Sequence, residues 1–358
     1  MVSHFDVHGA GLSVRSDSQW VTNIVSRALE MFQAPSPPCG AMTLTLRVLP
    51  PKRQLQALLP GKAELLHSSR VWPKERMRYW MAGPDLYIEV VGRCVTRFRW
   101  AEKVVTAWLC RATDWDLGRL LIYPVCYELL RHAGLYPMHA AAAAKDGEAV
   151  IFSGRGGSGK STSSVALVRA GFDLLSDDLI LLRAGREGLR VLSWPQRVRV
   201  TRKTARMVPE IAHLRHSPGR IKKAFSLKEV YGRDHAISAR PRVILFPELT
   251  RRPGHSVVPL DTTAALCRLL PNSLYLVEPD IAARHFEILA RLGAACKSYV
   301  LRCGTNIEDL PALVEKLLAA RHGGALAAPD QANTLDVPLR GAATAQRPLG
   351  ARLPPPRL

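Results

Sequence analysis

Residues 149–161 read Ala-Val-Ile-Phe-Ser-Gly-Arg-Gly-Gly-Ser-Gly-Lys-Ser, and this stretch decides the fold. Residues 149–153 form a short apolar run, which predicts a buried strand. A loop with four glycines follows, and residues 160–170 have the composition of a short helix. Gly171 stands where a left-handed helix cap is expected. The order of strand, glycine loop and helix predicts an α/β fold.

The loop fits the pattern G-x-x-x-x-G-K-[ST], which binds phosphates in P-loop proteins. Its glycines permit backbone angles that side chains forbid, so successive N–H groups can surround a β-phosphate. The helix beginning at Lys160 adds the positive end of its dipole. The alternative is a glycine-rich turn with an exposed lysine. The strand before the loop and the helix after it favour phosphate binding.

This pattern predicts ATP with Mg²⁺ as the ligand. Lys160 is expected to reach the β- and γ-phosphate oxygens, and the Ser161 hydroxyl is expected to ligate Mg²⁺. The residues expected to contact the nucleotide are Gly154, Gly156, Gly157, Ser158, Gly159, Lys160, Ser161 and Thr162.

An aspartate pair, Asp177 and Asp178, comes directly after the strand predicted at residues 173–176. Adjacent carboxylates repel each other unless a cation or a proton lies between them. Beside a nucleotide with Mg²⁺, one can hold the metal or its water, and the other can accept a proton from an attacking hydroxyl. Asp-Asp is also common in exposed turns, but this position after the strand favours a functional role.

The segment His139–Leu182 resembles the catalytic domain of the HPr kinase/phosphorylase family. The family order is a histidine, a strand, a glycine loop, a short helix ending in glycine, and an aspartate pair. Here it reads HAAAAAKDGEAVIFSGRGGSGKSTSSVALVRAGFDLLSDDLILL. The resemblance implies an α/β fold with a mixed-sheet P-loop kinase core of the HPr kinase/PEP carboxykinase type.

The resemblance also implies roles for individual residues. Lys160 would bind phosphate, Asp178 would deprotonate a substrate serine, and His139 would be an active-site residue. The family's downstream Mg²⁺-binding glutamate has no match in Pro218–Gly232, so the metal site would rely on Ser161 and Asp177 or on an unaligned residue. Relatives of this kind include serine kinases that modify peptides such as lasso-peptide precursors.

Three regions are predicted. Residues 1–135 form an N-terminal α/β domain that is a candidate for substrate binding, and residues 136–322 form the catalytic domain. Residues 323–358, rich in alanine and proline, are expected to be a disordered tail. The other predicted helices are 20–32, 117–132, 262–270, 280–292 and 307–320, and the other predicted strands are 43–49, 86–95, 104–109, 179–183, 198–201, 243–246 and 297–302.

A net charge of +20 and a pI near 10.2 favour an acidic partner, although a solvated basic surface is an equal alternative. The run Arg220-Ile221-Lys222-Lys223 is a candidate clamp for phosphate or an acidic peptide, or simply an exposed basic loop. Aromatic residues make up 6% and do not alternate with basic ones, so nucleic acid is an unlikely partner.

The seven cysteines are scattered and form no C-x-x-C pair, which is typical of reduced cysteines. The N-terminus does not resemble a signal peptide, and no run of 18 apolar residues predicts a membrane span. A cytoplasmic location is therefore expected, and the family resemblance adds a possible homo-oligomer.

These patterns predict an ATP-dependent kinase that transfers the γ-phosphoryl group to a serine hydroxyl of a small protein or peptide. Two alternatives stay open: a small-molecule kinase for free serine or another metabolite, and a non-catalytic nucleotide-binding regulator. The phosphate acceptor, the preference for ATP or GTP, a reverse phosphorylase reaction and the oligomeric state are left open by the sequence.

Overall fold

The computed structural model describes residues 2–49, 55–70, 75–110, 121–213, 222–273 and 277–320. Within these ranges the chain forms two large mixed sheets of nine strands each, with helices packed on them. The predicted α/β architecture is confirmed at this level. The tail predicted at residues 323–358 lies outside the described residues.

The first sheet has the strand order β3-β1-β2-β4-β9-β8-β7-β6-β5. Strands β2, β4 and β9 are parallel neighbours, and the other pairs are antiparallel. The strands are β1 (Val2–Val7), β2 (Ala10–Ser16), β3 (Gln33–Ala34), β4 (Met42–Val48), β5 (Glu64–Arg70), β6 (Arg76–Ala82), β7 (Asp85–Val90), β8 (Cys94–Arg99) and β9 (Val104–Leu109).

The second sheet has the order β10-β14-β15-β18-β12-β11-β13, and β20 joins it beside β18 with β19 at its other edge. Strands β12, β18 and β20 run parallel. A separate two-stranded ribbon consists of β16 and β17. The strands are β10 (Tyr136–Met138), β11 (Ala140–Lys145), β12 (Glu148–Ser153), β13 (Asp173–Ser176), β14 (Ile180–Gly185), β15 (Gly188–Leu192), β16 (Val198–Thr201), β17 (Lys222–Phe225), β18 (Ser238–Leu249), β19 (Ser256–Leu260) and β20 (Lys297–Cys303).

The helices are α1 (Gln19–Ala28), α2 (Tyr123–His132), α3 (Lys160–Arg169), α4 (Arg202–Met207), α5 (Pro209–Ala212), α6 (Leu227–Tyr231), α7 (Thr262–Leu269), α8 (Pro279–Ala295) and α9 (Leu310–Ala319). Helix α2 has Pro124 in its first turn, where proline fits a helix, and the predicted residues 117–120 lie outside the described residues. No helix in the described ranges is both long and apolar enough to cross a membrane.

Strand β11 explains how the second sheet is covered on both faces. Its alanines are buried and alternate between two cores. Ala141 and Ala143 pack with α3 and α9, whereas Ala140, Ala142 and Ala144 pack with α7 and α8. Side chains this small let the helices on both faces approach the strand closely. The sequence does not predict a strand here because alanine has a low strand propensity.

The core of the first sheet continues into the second half of the chain. Helices α1 and α2 pack on one face of that sheet, and the same buried cluster contains Leu181, Leu192 and Trp194. His8 Nε2 also lies 2.7 Å from the Ser193 carbonyl oxygen. The boundary at residues 135 and 136 stays a prediction, and apolar packing is continuous across it.

Among the predicted elements that differ from the structure are a strand and a helix. The strand predicted at residues 86–95 is a hairpin, in which β7 ends at Val90 and β8 begins at Cys94. Gly92 allows this turn because its φ is 73°. The helix predicted at residues 20–32 ends at Ala28 and is followed by a 3₁₀ turn at Glu30–Phe32.

The predicted glycine cap of α3 is confirmed. Gly171 has a φ of 93°, and its N–H donates to the Val168 carbonyl at 3.0 Å. The Phe172 N–H donates to the Leu167 carbonyl at 3.0 Å, which completes a Schellman motif.

Replacing Gly171 by alanine should lower the free energy of unfolding by about 1 kcal/mol, because alanine is strained at positive φ. The measurement is urea denaturation. Gly61→Ala is the matched control, since Gly61 is exposed, has no positive φ and has open space around its Cα. Equal stability of the two variants would contradict the cap's contribution.

Candidate functional site

The site forms at two short connections, one between β10 and β11 and the other between β13 and β14. The chain passes from β10 to β11 at His139, and from β13 to β14 at residues 177–179. Because β10 pairs with β14 and β11 pairs with β13, these two breaks lie opposite each other. The topology therefore brings His139 to the aspartate pair.

The side chains of His139 and Asp178 lie in contact. Nδ1 of His139 lies 3.3 Å from Oδ1 of Asp178, and their side chains are 29% and 42% exposed. Burial lowers the pKa of His139 from its ordinary value of 6.5, although the Asp178 charge opposes the shift. The imidazole is consequently neutral at physiological pH and can donate to the aspartate, whose carboxylate stays accessible to solvent.

The backbone around His139 is tied to the glycine loop, which we define as residues 154–159. The His139 N–H donates to the Asn272 carbonyl at 2.8 Å. The Asn272 side chain donates in turn to Oγ of Ser153, the last residue of β12, at 3.2 Å. Asn272 thus fixes the histidine relative to the start of the loop, a role that no sequence motif indicated.

The glycine loop adopts a tight conformation. Gly157 and Gly159 have φ values of 84° and 109°, so both need glycine. Gly154 and Gly156 lie outside the left-handed region, which corrects the expectation that all four glycines adopt such angles. Within the described part of the chain, the Ser158 Oγ is buried without a hydrogen-bond partner, so the loop contains an unsatisfied donor that a phosphate oxygen would satisfy.

Lys160 opens helix α3 and folds its side chain back over the loop. Its Nζ donates to the Gly154 carbonyl at 2.5 Å and to the Arg155 carbonyl at 3.2 Å. The lysine is 7% exposed, and burial lowers its pKa from 10.5 to about 8, while the Asp178 charge acts in the opposite direction. The loop therefore holds a largely desolvated cation close to Asp178.

Asp177 is more buried than its neighbour, at 4% exposed. Its Oδ2 accepts the Arg199 N–H at 2.8 Å. Burial raises its pKa from 3.8 to about 6, and the Asp178 charge adds to the shift. The two aspartates thus differ: one is held inside by the ribbon, and the other faces the histidine and solvent.

The ribbon β16–β17 is also connected to α3. The Thr162 and Thr204 hydroxyls lie 2.8 Å apart, and Thr201 caps α4 by accepting the Thr204 N–H. Nucleotide contact by Thr162 stays a prediction. The cap at Thr201 was not predicted. The contact between Arg199 and Asp177 joins residues 22 apart in the chain, and no sequence pattern indicates it.

The predicted basic clamp is only partly present. Lys222 is exposed. Burial has the largest effect on the pKa of His139, Lys160 and Asp177, and the positive charge of Lys222 has a smaller effect that lowers the pKa of all three. Lys223 is buried and donates to the Ala212 carbonyl at 3.1 Å, so it is not available as a clamp. Arg220 and Ile221 lie outside the described residues.

The predicted metal ligands do not form a metal site by themselves. Among the described residues, no three His, Cys, Asp or Glu side chains are grouped as a metal would require. Ser161 is partly exposed at the start of α3. Mg²⁺ bound through one or two protein ligands and phosphate oxygens is compatible with this arrangement. The glutamate that Pro218–Gly232 does contain, Glu229, is exposed and pairs with Arg197 at 3.4 Å.

Comparisons with known proteins leave the family open. The chain matches no protein-family model and no curated protein. A solved structure of the Hpr(Ser) kinase/phosphatase from Coxiella burnetii is similar at 16% identity and a TM-score of 0.27, covering 51% of this chain and 92% of that chain. That TM-score is too low to support a conclusion, so the site is interpreted from its own geometry.

The lowered pKa of Lys160 predicts a pH-dependent affinity for phosphates. Below about pH 8 the lysine is charged, and above it binding must first protonate the amine. The Kd for ATP, measured by calorimetry, should rise about tenfold from pH 7.5 to pH 9. Lys160→Arg, which keeps its charge over this range, should show a flat profile. A parallel rise in both proteins would contradict the assignment.

The raised pKa of Asp177 predicts a pH effect on stability. Between about pH 4 and pH 6 the folded chain keeps a proton that the unfolded chain has released, so the free energy of unfolding falls as pH rises through this window. The loss should reach up to about 3 kcal/mol.

The check is urea denaturation of Asp177→Asn, which keeps an acceptor for the Arg199 N–H. This variant should lack that share of the pH dependence and gain stability relative to wild type as pH rises. Superimposable pH profiles would show that Asp177 does not titrate in this window.

Proposed function

We propose that this chain is an ATP-dependent kinase that transfers the γ-phosphoryl group to a serine hydroxyl of a small protein or peptide. The observation that supports it is the His139–Asp178 pair beside the loop lysine. Separately, each element has ordinary structural explanations. Together they bring an ammonium group and an accessible carboxylate to one edge of the sheet, as phosphoryl transfer needs.

Phosphate binding is assigned to the glycine loop and Lys160. In this proposal the lysine ammonium exchanges its two carbonyl acceptors, Gly154 and Arg155, for phosphate oxygens. The buried Ser158 hydroxyl and the N–H groups at the start of α3 supply further donors. Charge neutralisation in a desolvated loop is strong because little water competes.

Proton transfer is assigned to Asp178. Its accessible carboxylate accepts the proton of the serine hydroxyl. The hydroxyl oxygen bonds to the γ-phosphorus as the bond from that phosphorus to the β–γ bridging oxygen breaks, and ADP leaves. The neutral imidazole of His139, whose Nδ1 lies 3.3 Å from Oδ1, would orient the carboxylate without removing its negative charge. Asp177 is too enclosed by Arg199 and the ribbon to meet a bulky acceptor.

Magnesium is assigned to the Ser161 hydroxyl and the Asp177 carboxylate. Bound there, the ion would neutralise phosphate charge, as in other phosphoryl-transfer enzymes. Ionised Asp177 suits this role, and a nearby cation would reverse the rise in its pKa that burial causes.

An acidic or phosphate-bearing acceptor fits the surroundings of the pair. Lys222 is exposed within electrostatic reach of the site, and Arg155 is exposed on the glycine loop. The net charge of +20 would also speed the approach of an anionic peptide. This favours a peptide or small protein over free serine as the acceptor.

The test uses purified protein, ATP, Mg²⁺ and a mixture of synthetic peptides that each carry one serine in acidic, neutral or basic flanks. Mass spectrometry should detect a gain of one phosphoryl group with wild type. Asp178→Asn should lose at least about a hundredfold in transfer rate while its Kd for ATP changes little. Asp173→Asn, which changes an exposed aspartate on the strand before the pair, is the matched control and should react like wild type.

Transfer by Asp178→Asn at the wild-type rate would refute the role of Asp178 as base. ATP binding without transfer to any serine peptide would refute the peptide kinase and favour the regulator. Transfer to free serine, offered in a separate reaction in place of the peptides, would identify the small-molecule kinase.

A further inference from the structure

Three parallel strands of the second sheet end at the same edge. Strand β12 leads into the glycine loop, β18 leads into residues 250–255, and β20 leads into residues 304–306. Ligands of open α/β sheets bind in the crevice outside such carboxyl ends. The His139–Asp178 pair lies on the β11 side of β12, so residues 249–255 flank the loop on its opposite side.

Leu249 ends β18 and is unusual for its exposure. Its side chain is 61% exposed although it lies against the glycine loop, where its Cδ2 is 3.2 Å from the position that a Cβ would take on Gly159. A large apolar side chain left in solvent beside a phosphate loop offers a flat apolar contact to a bound molecule.

The segment after Leu249 is held firmly against the end of β20. The Thr250 N–H donates to the Cys303 carbonyl at 2.8 Å, and the Thr305 N–H donates to the Arg252 carbonyl at 2.9 Å. His255 adds two contacts, since its Nε2 donates to the Asn306 carbonyl at 2.7 Å and its Nδ1 accepts the Gly304 N–H at 3.1 Å.

Close packing supports the same conclusion. A Cβ on Gly304 would lie 2.2 Å from the Gly254 carbonyl oxygen, so the two segments touch through their backbones. The exposed side chains of Arg251 and Arg252 therefore project from a backbone that is fixed before any ligand binds.

We infer that Leu249, with Arg251 and Arg252, forms the platform for the base of the nucleotide. This inference rests on the proposed function, because it takes the triphosphate to lie in the glycine loop with its terminal phosphate towards Asp178. The nucleoside then extends to the other side of β12. A purine has two apolar faces, of which the leucine covers one, and an arginine guanidinium is planar and stacks on such rings.

The test compares ATP with inorganic tripolyphosphate, which has the phosphates but no base, by calorimetry on the full chain. Leu249→Ala should weaken ATP binding about five- to tenfold and leave tripolyphosphate binding within about twofold. Leu249→Met, which keeps an apolar contact, should bind both probes like wild type. Ile237→Ala is the matched control, because Ile237 is 74% exposed just before the opposite end of the same strand.

The outcomes separate this inference from the proposed function. If Leu249→Ala binds ATP like wild type, or loses affinity for both probes equally, the base platform is overturned while phosphate binding stands. If Lys160→Ala binds both probes as tightly as wild type, the phosphate site itself is refuted, and the base platform with it.

Discussion

The burial of β11 on both of its faces is the constraint on which the rest of the second sheet depends. Five alanines leave so little side-chain volume that helices can pack closely on either side. One of them is α3, whose N-terminus must then lie at the end of the neighbouring β12. Strand β11 starts next to His139 and pairs with β12 and with β13, which ends before the aspartates. Tight packing in the sheet therefore positions the loop lysine, the histidine and the aspartate pair together.

The electrostatics of the site follow from how unevenly its charges are buried. Asp177 and Lys160 are buried. Burial favours the uncharged form of each, so it raises the pKa of Asp177 and lowers the pKa of Lys160. Asp178 faces solvent and balances part of the lysine charge. Burying these charged groups together costs free energy, and a ligand that brings both phosphates and a cation would stabilise them. This uneven burial supports the proposed binding of an anionic ligand.

Much of the second half of the chain could be predicted because its signals are local. The glycine loop, the cap at Gly171 and the strand before the aspartates all depend on residues close in sequence. The features that the sequence did not predict either depend on contacts between distant residues or have an amino-acid composition that is unusual for their structure. The alanine strand lacks the branched side chains that indicate strands, and the hairpin at Gly92 was read as a single strand. The contacts of Asp177 with Arg199 and of His139 with Asn272 join distant residues, and no pattern marks them.

The apolar core shared by the two halves has a consequence for how the molecule unfolds. Leu181, Leu192 and Trp194 are buried among residues of the first sheet and its helices. Separating the halves would expose Trp194, which is among the largest fully buried side chains. Melting of one half would remove packing from the other, so the two sheets belong to one cooperative unit. Strand β14, which follows the aspartate pair, is thus steadied by residues near the amino terminus, far from it in sequence.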